Sequence, residues 1–72
     1  MRFKDRITIL RVYMRVCRDS GFRMDYIDAA HLAAKMIGIH AGDIAEQIGF
    51  GNMKRIAKGD HPALSNPLYA PL

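Results

Sequence analysis

Asn52, Lys54, Arg55 and Lys58 crowd into one short stretch near the C-terminal end of a 72-residue chain. Side-chain amide and guanidinium groups match the hydrogen-bonding edges of adenine and guanine, and ammonium groups pair with phosphate. A second set, Arg11, Arg15 and Arg18, recurs at helical spacing near the N-terminus. On one helix face these three cations would offer a further phosphate contact, or a surface for an acidic partner. His31, His40 and His61 are scattered, and although Asp28 and His31 share a helical spacing, no compact motif supplies a third ligand. No metal or other cofactor is expected. Cys17 is the only cysteine, which rules out an intramolecular disulfide, and it falls among apolar residues where a core role is the simplest reading. Nothing resembles a phosphate loop, a catalytic triad or a paired-carboxylate site, so an enzyme is not expected.

The charges are unevenly spread. Residues 1–23 carry seven basic residues against two acidic ones; residues 24–50 carry only Lys35 against Asp25, Asp28, Asp43 and Glu46. Residues 51–72 add Lys54, Arg55 and Lys58 against Asp60, for a net charge of +4 overall. Basic ends flanking an acidic middle suit a polyanionic partner. Half the residues are apolar, too many for a disordered segment, and no stretch is long enough to span a bilayer. A cytoplasmic protein without a membrane partner is expected.

These side chains need helices to position them. Phe3, Ile7, Leu10, Met14 and Cys17 recur at alternating steps of four and three, widened by Ile9, Val12 and Val16, which predicts an amphipathic helix from about Lys4 to Asp19. Ser20 and Gly21 supply its stop. Asp25 can cap a second helix whose inward positions would be Ile27, Ala30, His31, Ala34 and Ile37 or Met36, with Gly38 closing it. A third short helix is expected from about Gly42 to Ile48, ended by Gly49. A fourth would run from Met53 to Lys58, capped by Asn52 and ended by Gly59. Pro62, Pro67 and Pro71 then forbid a long helix, leaving an extended arm or a single turn packed by Leu64, Leu68 and Tyr69.

Short helices with glycine turns invite comparison with the helix-turn-helix, which needs a small residue at the helix crossing, a turn glycine and an inward aliphatic at fixed offsets. Two registers fit. In the first, Ala34, Gly38 and Ile44 take those places, with Ala33, Ile37, Ile39 and Ile48 also inward; its reading helix would then present Asp43 and Glu46 to phosphate. In the second, Ile44, Ala45, Ile48, Gly49 and Phe50 form the support and turn, and the reading helix starts at Asn52. Its inward aliphatic, Ile56, falls one place late, but its chemistry is the better of the two. The stretch IAEQIGFGNMKRIAKGDHP resembles the matching segment of phage-repressor-like (Cro/repressor) helix-turn-helix regulators, over roughly residues 42–62. That resemblance implies Arg55 as the leading base reader, Lys54 and Lys58 on the DNA backbone, and backbone amides near Gly42 on a phosphate.

The expectation is thus an all-α fold, a small bundle of about four short helices containing a helix-turn-helix. Residues 1–61 would form one helical domain and residues 62–72 an irregular, proline-containing tail. Its function would be sequence-specific binding of double-stranded DNA as a small transcriptional regulator. A homodimer is expected to pair the first helix with its copy through Phe3, Ile7, Leu10 and Met14, setting two reading helices about one duplex turn apart. The alternative is a helical inhibitor, antitoxin-like or adaptor module whose basic face docks on an acidic protein.

Overall fold

A computed structural model describes residues 5–69. They form four α-helices, α1 (Arg6–Asp19), α2 (Tyr26–Ile37), α3 (Ala41–Ile48) and α4 (Phe50–Ala57), followed by two 3-10 turns, Pro62–Ser65 and Pro67–Tyr69. No strand occurs among the described residues, and no helix there is long and apolar enough to cross a membrane.

Asp5 sets the start of α1. Its carboxylate accepts the Thr8 amide at 2.9 Å and the Thr8 hydroxyl at 2.7 Å, satisfying donors that the first helical turn leaves unpaired. These bonds to the charged form hold the Asp5 carboxyl below its usual range. The helix ends in a Schellman motif, with the Phe22 amide bonded to the Cys17 carbonyl and the Gly21 amide to the Arg18 carbonyl, both at 2.9 Å.

The buried side of α1 is wider than the expected seam and rotated from it. Ile9, Val12, Tyr13, Met14, Val16 and Cys17 are buried and Leu10 is half-buried, whereas Ile7 is 45% exposed. All of α2, α3 and α4 pack against this one helix, so a broad arc of it leaves water. Tyr13 fills the centre of that arc. Its hydroxyl donates to the Met53 carbonyl at 2.8 Å, tying α1 to α4 across the core. Burial pushes the Tyr13 phenol well above its normal range, and the Cys17 thiol up to about 11, so Cys17 is a protonated core group.

On α2, Asp25 accepts the Ile27 amide at 3.0 Å, as the cap position predicts. The inward face differs from expectation: Ala29, Ala30, Ala33 and Ala34 are the buried residues, while Ile27, His31 and Met36 are exposed and Ile37 is half-buried. Four alanines let α1 and α3 approach the helix closely, which turns its larger side chains outward. Gly38 caps α2 in the left-handed conformation, and the chain reaches α3 through Ile39 and His40, whose amide donates to Asp43 Oδ2 at 3.2 Å.

Only Gly49 separates α3 from α4. At φ +91° and ψ +140° it turns the chain in one step, a conformation that side chains rarely adopt. The fourth helix therefore begins at Phe50, not after an Asn52 cap. Asn52 lies inside it, donating its amide to the Ile48 carbonyl at 3.0 Å and so satisfying the last turn of α3. The tail makes two turns where at most one was expected. Ala63 joins the core, Leu64 and Tyr69 are half-buried, and Leu68 is exposed.

Candidate nucleic-acid interface

The outer side of α4 is a row of Gly51, Lys54, Arg55 and Lys58, all exposed, at the one-turn spacings of a single helix face. Met53, Ile56 and Ala57 seat the opposite side in the core. Lys54 Nζ stands 5.3 Å from the centre of the Tyr26 ring, whose edge contact with Phe50 has ring centres 6.4 Å apart at 87°. A cation above an aromatic face is attracted by the ring quadrupole and held in place without being neutralised. Arg55 Nε donates to the Asp60 carbonyl at 3.1 Å, which leaves its terminal nitrogens for another partner.

Beside this row, the 20–25 loop brings a cation that the sequence reading counted only as charge. Arg23 lines a groove of ≈ 450 Å³ together with Lys54 and Lys58, over a floor of Phe22, Met24, Tyr26 and Ala57. Asp25 also lines it, with one carboxylate oxygen engaged at the start of α2. Among the described residues, none of Arg23, Lys54 and Lys58 makes an ion pair with a carboxylate. Phe22 shapes the groove from an uncommon backbone position, φ +58°, forced by the tight end of α1. Cations interleaved with aromatic residues are the signal that points to this loop.

The α1 arginines are used differently. Arg18 is half-buried, with Nη2 donating to the Leu64 carbonyl at 2.6 Å and Nη1 buried without a hydrogen-bond partner among the described residues. It staples the tail to α1 and is not a free phosphate contact. Arg15 pairs with Asp19 at 3.6 Å, and Arg11 is half-buried. Asn52 is also committed, since its carbonyl oxygen lies 3.1 Å from His61 Nε2 while its amide holds Ile48, so neither half is free to read a base.

Gly42 lies elsewhere, on an apolar groove between α2, α3 and the start of α4 that, among the described residues, no lysine or arginine lines. The residues of the expected dimer seam also separate. Met14 is fully buried within the single chain and cannot meet a copy; Leu10 is half-buried, Ile7 is exposed, and Phe3 lies outside the described residues. No group of three or more histidine, cysteine or acidic side chains among the described residues is placed to hold a metal ion. No family model matches this chain, and no match to it was found among curated proteins or among solved structures.

Proposed function

We propose that this chain is a nucleic-acid-binding module of the small-regulator kind, which lays the basic face of α4 against double-stranded DNA. The observation that carries the reading is the convergence of Arg23, Lys54 and Lys58 on one groove, free of carboxylate ion pairs among the described residues, beside the outward guanidinium of Arg55. Cations that no carboxylate neutralises are available to displace counterions from phosphate.

The pattern Ala34, Gly38 and Ile44 supports α2 and α3 as a helix-turn-helix scaffold, since Ala34 and Ile44 are buried and Gly38 caps α2. The outward side of α3 offers Gly42, Glu46 and Gln47 but no cation, so the DNA contact is assigned to α4. This reading takes its scaffold from one register and its chemistry from the other.

Fluorescence anisotropy with a labelled random-sequence duplex, at two salt concentrations, tests the proposal on the wild type and a Lys54→Ala, Lys58→Ala double variant. Binding that weakens steeply with salt, and with a shallower slope in the variant, is expected. Absence of binding at low salt rejects it and leaves the basic face to an acidic protein partner.

A further inference from the structure

We propose, on the reading of α4 as a DNA contact, that the groove between the 20–25 loop and α4 takes an unpaired base of a DNA strand, stacked on Phe22. The ring of Phe22 supplies the platform. A Cβ added at Gly59 would lie almost equally far from Cγ and both Cδ atoms of Phe22, which puts Gly59 over one face of the ring. The residue is nonetheless 38% exposed and lines the groove, so its other face is turned toward the groove. Phe22 holds the ring there from a left-handed backbone position, φ +58°, that glycine takes without steric cost. Backbone strain of this kind collects at ligand-binding positions.

The lining selects a nucleotide. Arg23, Lys54 and Lys58 face a single carboxylate, Asp25, whose Oδ2 is taken by the Ile27 amide. An isolated phosphate would pair with these cations and leave the Phe22 face in water. An apolar side chain from a partner protein would cover Phe22 but draw the cations out of water with nothing to neutralise them. A nucleotide meets both, with a planar base for the ring and phosphates on either side for the cations. Tyr26 is not a second platform, because Lys54 Nζ stands 5.3 Å from its ring centre and Phe50 makes an edge contact with it. At ≈ 450 Å³ the groove has the size of a small-ligand site, and a paired base, stacked between its neighbours, would present only its edge to Phe22. Lys54 and Lys58 also belong to the exposed row of α4, so one strand can run from the duplex contact into the groove.

The test measures fluorescence anisotropy of labelled probes with the full chain: a blunt duplex, the same duplex with a short thymidine overhang, and that duplex with abasic residues in place of the thymidines. Both overhangs carry the same phosphates, so a difference between them reads the bases alone. The thymidine overhang is expected to bind about tenfold tighter than the abasic one. Phe22→Gly, which suits the left-handed backbone and removes the ring, should abolish that difference and leave blunt-duplex binding unchanged. Phe22→Tyr should preserve the difference, and circular dichroism checks the fold of both variants. Equal binding of the two overhangs, or a difference that survives in Phe22→Gly, overturns the proposal. If the blunt duplex still binds in that case, the duplex reading of α4 stands without it; if no probe binds, both fall. A thymidine preference without blunt-duplex binding upholds the groove and rejects the duplex contact.

Discussion

The ring of Phe22 rests on Gly59. A Cβ added at Gly59 would sit 3.2 Å from Phe22 Cγ and 3.4 Å from both Cδ atoms, and Gly59 itself has φ +77°. Each residue closes a Schellman motif: Phe22 that of α1, and Gly59 that of α4, where the Asp60 amide bonds to the Arg55 carbonyl at 2.9 Å. Two helix ends are thereby pressed together beneath the basic groove. Gly59→Ala adds the left-handed backbone penalty to this close contact and should cost about 2 kcal/mol or more, read as a lowered midpoint in urea unfolding.

Tyr13→Phe removes the hydroxyl that reaches Met53 and keeps the ring that fills the core. A loss of about 1 kcal/mol is expected, with thermal unfolding as the readout. An unchanged midpoint would show that the hydroxyl does not tie α4 to α1.

His61 gives the tail a pH dependence. Its Nδ1 accepts the Ala63 amide at 3.0 Å and so carries no proton, which leaves Nε2–H to donate to Asn52. Burial first, and Arg55 second, lower its pKa from 6.5, with Asp60 opposing. The neutral form is therefore the one the fold favours. Its contribution to stability is complete above pH 6.5 and is lost as pH falls through the depressed value. Urea midpoints should fall between pH 7.5 and pH 5 in the wild type, and fall less in His61→Asn.

Arg18 and Lys58 should part company. Arg18→Met, which removes the bond to Leu64, is expected to destabilise the protein by about 1–3 kcal/mol while leaving the salt dependence of DNA binding unchanged. Lys54→Ala with Lys58→Ala should leave stability nearly unaltered and reduce the salt slope by about 1.8, two phosphate contacts' worth. Anisotropy titrations and chemical unfolding on the same samples separate the two roles.

Gly42→Ala should stabilise the chain by up to about 1 kcal/mol, since Gly42 is an exposed helical glycine with nothing within 4 Å of an added Cβ. Thermal unfolding measures it, and a lowered midpoint would contradict the open space.

The helical scaffold was readable because its signals are local. The Asp25 cap and the stops at Gly21, Gly38, Gly49 and Gly59 act within a turn of the helices they bound, and each appears in the structure. The rotation of α1 was not readable, because Tyr13 becomes central only when three other helices surround it. Asn52 looked like a cap by residue type, yet Gly49 had already turned the chain and left a carbonyl for it to satisfy. Arg18 looked like its neighbours on the basic stripe, and only the returning tail distinguishes it. Arg23 gains its place beside Lys54 and Lys58 through the Phe22–Gly59 contact, which no short-range spacing encodes.

One thread runs from the Ile48 carbonyl through Asn52 and His61 to the Ala63 amide, so the end of α3, the body of α4 and the first 3-10 turn hang from one another. The proline-bearing tail is therefore a brace, and residue 61 is no natural place to trim the protein. Cutting there would remove Ala63 from the core and the Leu64 carbonyl from Arg18, loosening the basic helix from behind while touching none of its cations. A version that keeps α4 seated has to retain Ala63 and Leu64.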